Sequence, residues 1–334
     1  MSFSINGKLI SEATDPYIIA EIGINHNGCF EDAMRLVDAA AMAGVDAVKF
    51  QTYQTSKLLS KSSEYFSLLS GFELKPEQYS ALAKNAFDKN IDAFSACFDE
   101  VSADIWNDLN APAYKIASGD ITHLPLLQKI AKFNKPMIIS TGASSYLDIT
   151  AALEAIQSVN PDIEIALLHC ISKYPTQAAE ANLRCIKTLS EKFGKTVGFS
   201  DHTEGLTVPL AAVACGALII EKHFTLDKNA DGPDHKLSAD PVEMAELVKI
   251  SKLVSSSLGN GKKELVEGGE VQTAIRRSIS VSKPVKAGEK IELSNLEITR
   301  PASGTPPSEL MFFNEKRAVK DLIPGQRISV NDVS

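Results

Sequence analysis

The sequence predicts an α/β protein, a closed (β/α)8 TIM barrel followed by a small β-rich domain, and three observations predict it. Eight short runs rich in Val, Ile and Phe alternate with stretches whose apolar residues recur at helical spacing. Eight strand–helix pairs is the count of a closed parallel barrel. An open doubly wound sheet shows the same alternation, and it is the count that favours closure. After residue 258 the alternation stops, and short strand-like runs with glycine turns take its place.

The strands read YIIAEIG from Tyr17, AVKFQT from Ala47, DAFSA from Asp92, AYKIAS from Ala113, PMIIST from Pro136, IEIALLHC from Ile163, VGFSDH from Val197 and LIIEKHF from Leu218. The helix over Glu31 to Gly44 ends on a glycine of C-cap type. The next begins at Pro76, a residue suited to the first helical position. The serine-rich stretch 56–71 between strands two and three is expected to be a loop over the barrel mouth. Residues 259–275, which begin GNGKKELVEGG, read as a linker. Beyond it PVKAGEKI from Pro284 and LIPGQRI from Leu322 look alike, each an apolar stretch, a glycine turn and a return strand. These readings divide the chain into a barrel over 1–258, a linker and a β domain over 276–334.

The 334 residues are 44% hydrophobic and 23% charged, with a formal net charge of −8. That balance argues against nucleic acid as the main partner, because phosphate backbones need a basic face. A small anionic substrate stays open, since a few local lysines outweigh a mildly acidic surface. Five cysteines without a CxxC pair argue against a disulfide framework and for reduced thiols in a cytoplasmic protein. The N-terminal MSFSINGKLISEATD lacks the basic and apolar regions of a signal peptide. No run approaches the roughly 18 apolar residues of a membrane span. A cytoplasmic protein without a membrane partner is therefore expected.

In such a barrel the active site lies at the C-terminal strand ends, and polar residues collect there. Glu21 ends strand one, Lys49 and Gln51 strand two, Lys115 and Ser118 strand four, Ser140 and Thr141 strand five. His169 closes strand six, Ser200, Asp201 and His202 strand seven, Glu221 and His223 strand eight. Burying charge in apolar strands is costly unless the groups are paired or used. Residues two apart share a face, so Ser200 with His202, and Glu221 with His223, can look into the mouth. Strands seven and eight are neighbours about 4.8 Å apart. His202 and His223 could then reach one divalent ion at about 2.0–2.2 Å, with oxygen ligands completing the shell, which suits a Mn²⁺-like ion. The bland alternative for either histidine is a hydrogen-bonded core residue. Lys49 and Lys115 would hold a phosphate or carboxylate. They could equally pair with Glu21 or Asp120, or one could form a Schiff base.

The motifs at these positions resemble those of the sialic acid synthase family. They are EIGINHNG (Glu21 to Gly28), KFQTY (Lys49 to Tyr53), YKIASGD (Tyr114 to Asp120), ISTG (Ile139 to Gly142) and LLHCISKYPT (Leu167 to Thr176). GFSDHT (Gly198 to Thr203), EKHFTLDK (Glu221 to Lys228) and GPDHKLS (Gly232 to Ser238) complete the barrel set. RRSIS from Arg276 and ITRPASG from Ile298 look like that family's antifreeze-like (SAF) domain. The resemblance implies that phosphoenolpyruvate attacks the open-chain aldehyde of an N-acylated amino sugar through C3, after which water adds at C2 and phosphate leaves. It implies that His202 and His223 bind the metal, Mn²⁺ before Mg²⁺ or Co²⁺, and that Glu21 handles protons near the reacting centre. Lys49, Lys115, Ser118, Ser140 and Ser200 would hold phosphoenolpyruvate. Gln51, Asp120, Tyr174 and Asp234 would contact the sugar, and Arg300 would reach its N-acyl group from the second subunit of a domain-swapped homodimer.

The chain departs from the family pattern at Ala96, which lacks a hydroxyl, at Asp120, where a glutamate is usual, and at Ser172, where many members carry asparagine. SGDITHLP and EKHFTLDK with GPDHKLS are closest to legionaminate-type members, so 2,4-diacetamido-2,4,6-trideoxymannose is the expected sugar, with N-acetylmannosamine next. The competing readings are a metal-dependent hydrolase, against which the single histidine in Asn25-His26-Asn27 speaks, a Schiff-base aldolase, and a sugar-binding protein without turnover.

Overall fold

The computed structural model describes residues 3–334, which form two units, one up to Asn260 and the other Gly261–Ser334. The first begins with an antiparallel hairpin, β1 (Phe3–Ile5) and β2 (Lys8–Ile10), with Ile5 paired to Lys8. Asn6 and Gly7 turn it, both at positive φ (50° and 78°), as a two-residue turn matched to strand twist requires.

Eight parallel strands follow: β3 (Tyr17–Gly23), β4 (Ala47–Thr52), β5 (Asp92–Cys97), β6 (Tyr114–Ile116), β7 (Met137–Ser140), β8 (Ile165–Cys170), β9 (Thr196–Asp201) and β10 (Ile219–His223). They close in sequence order, β10 pairing with both β9 and β3, so the (β/α)8 barrel is the observed fold. Its helices are α1 (Phe30–Ala43), α2 (Thr55–Leu58), α3 (Phe66–Phe72), α4 (Pro76–Asp88), α5 (Glu100–Asp108), α6 (Leu124–Ala131), α7 (Tyr146–Gln157), α8 (Arg184–Phe193), α9 (Thr207–Ala214) and α10 (Pro241–Leu258). Among the described residues no helix is long and apolar enough to cross a membrane, and all five cysteines are free.

Strand alternation divides the barrel into two cores. Outward residues such as Ile18, Ala20, Val48, Phe50 and Ile139 pack on the apolar stripes of the helices, including Leu36, Leu82, Trp106 and Leu127. Inward residues near the strand starts, among them Ile19, Ala47, Phe94, Ala113, Ile138, Ala166 and Ile219, pack with Phe3, Ile5 and Ile10 of the hairpin. One pleat further along, the inward positions are Glu21, Lys49, Ala96, Lys115, Ser140 and Glu221. The barrel interior is thus apolar where the strands begin and polar where they end. The β3–β4 register slips between Glu21 and Gly23. Gly23 sits at φ 54°, and a Cβ there would lie 3.0 Å from the Glu21 carboxylate, so this bulge requires glycine.

Two expectations are corrected. The stretch 56–71 is not an irregular loop: α2 and α3 fill most of it, anchored by the Tyr53 hydroxyl donating to Leu69 O (3.1 Å) and by the Thr55 amide donating to Glu73 (2.6 Å). Helices of four and seven residues are too short for periodicity to reveal. The linker 259–275 likewise carries a helix, α11 (Gly268–Ile275), whose two leading glycines read as breakers.

The second unit pairs β11 (Ser278–Val281) with β12 (Leu296–Thr299) around a core of Ile279, Val281, Val285, Ile291, Phe313, Ala318, Leu322 and Ile328. The two similar segments turn at Gly288 and Gly325, both at φ 83°, and pair through Val285 and Leu322.

Candidate active site

The C-terminal strand ends enclose a cavity of about 610 Å³. All but two of the predicted site residues line it: Glu21, Lys49, Gln51, Lys115, Ser118, Ser140, Tyr174, Ser200, His202, His223 and Asp234. Asp120 does not. Ser118 to Asp120 form one 3₁₀ turn, in which Ser118 and Gly119 reach the cavity and the turn carries Asp120 off the wall. Burial raises its carboxyl to about 6. Arg300 lies in the second unit, exposed, with its carbonyl held by Arg327 Nη2 at 2.7 Å. Ala96 and Ser172 both lie on the cavity wall.

Four charges form a chain across the floor. Lys49 Nζ lies 2.7 Å from Glu21 and 3.7 Å from Glu221, and Lys115 Nζ lies 3.4 Å from Glu221. Gln51 donates to Glu21 and Ser200 donates to Glu221, each at 2.9 Å. Both lysines therefore have carboxylate partners, although Lys115 pairs with Glu221 and not with Asp120. Burial, reinforced by Glu221, raises the Glu21 carboxyl despite Lys49. Burial opposes charge on Glu221 too, but Lys115 and Lys49 outweigh it and hold that carboxyl at about 2. Two carboxylates on one wall are thereby pushed apart in proton affinity. Burial opposes charge on Lys49 as well, yet its two carboxylates raise it. Burial and the nearby Lys49 lower Lys115. Glu221 carried no assigned role in the sequence reading; its position two residues before His223, on the same face, was the signal.

The imidazoles of His202 and His223 stand 5.3 Å apart between centroids. His202 Nδ1 lies 2.8 Å from the Ile171 carbonyl, which can only accept, so Nδ1 carries a proton and, in the neutral ring, Nε2 carries the lone pair. His223 Nδ1 is buried without a hydrogen-bond partner, 3.4 Å from Asp234 Oδ2. Burial lowers His223 to about 4, which keeps it neutral at neutral pH. A buried nitrogen with no partner, beside a second ring with a free lone pair, fits a divalent ion. Among the described residues no group of three or more His, Cys, Asp or Glu side chains is arranged to hold a metal. The Tyr174 ring covers the pair, 4.0 Å from His202 and 5.9 Å from His223. Ser140 Oγ is a second buried polar atom without a partner.

Three of the polar strand-end residues point away from the mouth. His169 Nε2 bonds the Ala181 carbonyl at 2.7 Å, the Thr141 hydroxyl donates to Leu168 O at 3.0 Å, and Asp201 pairs with Lys222. Strand alternation explains His169 and Asp201, because Cys170 and Ser200 take the inward positions beside them.

Fold and site together define a TIM-barrel enzyme with a charged, histidine-bearing mouth. A model of the NeuB family matches residues 36–263. An uncharacterized protein of Methanocaldococcus jannaschii is 42% identical over 318 residues, 95% of this chain and 94% of its own. N,N'-diacetyllegionaminic acid synthase of Campylobacter jejuni is 38% identical over 320 residues, 91% of this chain and 96% of its own. The crystal structure of the N-acetylneuraminic acid synthetase of Leptospira borgpetersenii superposes with a TM-score of 0.76 at 34% identity, covering 79% of this chain and 92% of that one. The chain belongs to the NeuB family, the family of the sialic acid synthases.

Proposed function

We propose that this protein is a nonulosonate synthase that condenses phosphoenolpyruvate with an N-acylated mannosamine-type sugar and releases phosphate. The observation that carries the reading is the convergence of Lys49, Lys115, His202 and His223 on one cavity at one end of the barrel. Two ammonium groups and the unpartnered Ser140 hydroxyl suit a phosphorylated carboxylate. Ser118 and Ser200 add hydroxyls on the same wall. Gln51, Tyr174 and Asp234 offer polar contacts for sugar hydroxyls. In the reaction the enol C3 bonds the aldehyde carbon and the aldehyde oxygen takes up a proton. Water supplies the oxygen at C2, and phosphate leaves with the bridging oxygen. Glu21, whose carboxyl is raised by burial and lies 2.7 Å from Lys49 on the cavity floor, is the group for that transfer. A divalent ion on His202 and His223, Mn²⁺ before Mg²⁺ or Co²⁺, would supply Lewis acidity toward the aldehyde.

The sugar we favour is 2,4-diacetamido-2,4,6-trideoxymannose, in keeping with the name of the Campylobacter relative, with N-acetylmannosamine second. The second unit is read as an antifreeze-like domain. Its exposed Arg300 would serve the N-acyl group on a partner copy in a homodimer. The test is phosphate release from phosphoenolpyruvate and Mn²⁺ with each sugar in turn. Release with one sugar, abolished by chelation and by His202→Ala, is the expected result, and no release with any sugar would reject the reading. The lowered amine of Lys115 favours one rival, a Schiff-base aldolase. Trapping of a lysine adduct by borohydride would establish that rival instead.

A further inference from the structure

Lys222 and Asp201 are both buried to 0% side-chain exposure, on the face of β10 and β9 opposite the cavity. They lie directly across from each other in the register, Lys222 between Glu221 and His223 and Asp201 between Ser200 and His202. Lys222 Nζ donates to Asp201 Oδ2 at 2.7 Å and to the Thr203 carbonyl at 2.8 Å. Asp201 Oδ1 in turn accepts from the Thr203 amide (2.9 Å) and hydroxyl (2.8 Å). The residues on both sides of His202 are therefore gripped by one ammonium from the strand that bears His223. The His202 carbonyl accepts from the Thr176 amide at 2.9 Å, which extends the same network to the loop carrying Tyr174.

An ion pair in this position is not needed for stability. Replacing a buried pair by well-packed neutral residues is often neutral or stabilising, because two charges need not then be desolvated. Apolar side chains could fill the outward face of these strands as they do on β3. What an apolar pair lacks is direction, since hydrogen bonds fix angle and register and apolar contacts do not.

We propose that the Lys222–Asp201–Thr203 network is a positioning clamp that sets the His202 imidazole against that of His223. Neither Lys222 nor Asp201 touches the cavity, so they act through the histidines and not on substrate. The idea rests on the reading of those histidines as metal ligands, and the experiment separates the two.

The test uses the full chain carrying D201N with K222M, which removes both charges together, with D201L/K222M as the second variant if the first does not fold. Thermal unfolding, Mn²⁺ binding by the free-ion paramagnetic signal, and His202–His223 ring-proton NOEs with labelled histidine are measured on wild type and variant. The expected result is a retained unfolding temperature, lost or altered imidazole NOEs, and Mn²⁺ affinity weaker by about 10- to 100-fold, as when groups that orient a metal ligand are removed. Unchanged NOEs in a folded variant overturn the clamp, whatever the metal affinity. If the wild type binds no Mn²⁺, the metal reading fails, while the NOEs, which need neither metal nor substrate, still decide the clamp.

Discussion

Replacing Glu221 by Gln tests the charge chain directly. Its carboxyl is held at about 2 in place of its ordinary 4.5, and such a shift is worth about 3 kcal/mol of folding stability at pH 7. The two partners of the Lys115–Glu221 pair respond differently, and geometry explains it. Glu221 faces two ammonium groups and accepts from Ser200, so ionisation is favoured. Burial disfavours the charge on Lys115; its one carboxylate at 3.4 Å does not offset that, and Lys49 adds repulsion. The stabilisation therefore resides with the carboxylate, and E221Q loses it. Because the folded value is depressed, the contribution is complete above pH 4.5 and disappears as pH falls through about 2. The gap between wild type and E221Q should be about 3 kcal/mol at pH 7 and should shrink to about 1 kcal/mol at pH 3, by the linkage relation. Adding K115M to E221Q should recover about 1–3 kcal/mol, since Lys115 is then no longer an unpaired buried cation. Urea unfolding of the four proteins, with K115M alone as the fourth, gives these differences at each pH. Equal stability of E221Q and wild type at pH 7, or a gap that stays constant on acidification, would refute the reasoning.

Asp120→Asn should act in the opposite sense. Burial raises that carboxyl from 3.8 to about 6, so its charge costs stability above pH 6 and nothing well below pH 4. Discounted for its partial exposure, D120N should gain about 1 kcal/mol at pH 8 and converge with wild type under acid, by chemical unfolding at the two pH values. Gly198→Ala should cost about 3 kcal/mol or more, because the new Cβ would sit 2.3 Å from the Ile219 carbonyl and 2.6 Å from Leu168 within the barrel wall. A G198A protein that melts like wild type would show that β9 and β10 can separate.

Most of the barrel was legible because its strands are short apolar runs separated by long helical stretches, a pattern that survives without tertiary information. The hairpin was missed although Asn6-Gly7, flanked by apolar residues, carries a turn signal; the N-terminus had been read only for export. The helices α2, α3 and α11 were missed because four to eight residues give too little periodicity, and because Gly268 and Gly269 open the last of them. Asp120 is a different case. The resemblance of YKIASGD to the family motif put it among the sugar contacts, whereas a 3₁₀ turn, which rotates each residue by about 120°, carries it off the cavity wall, and the sequence does not announce that turn.

The strand ends show how far a period of two can be pushed. Polar residues at the strand ends do not all face the mouth: His169 and Asp201 turn away, because Cys170 and Ser200 beside them occupy the inward positions. Applied strictly, alternation sorts the eight barrel strands into an inward series that turns from Ile19, Ala47 and Ile219 to Glu21, Lys49 and Glu221, and an outward series that stays apolar on β3 through Ile18, Ala20 and Ile22. On that outward series Lys222 and Asp201 are charged residues where the helix layer calls for apolar ones, and no property of the cavity accounts for them. A charge that breaks the pattern on the inward face is explained by what enters the cavity. One that breaks it on the outward face needs a partner inside the protein, and the partner of Lys222 is the residue preceding His202.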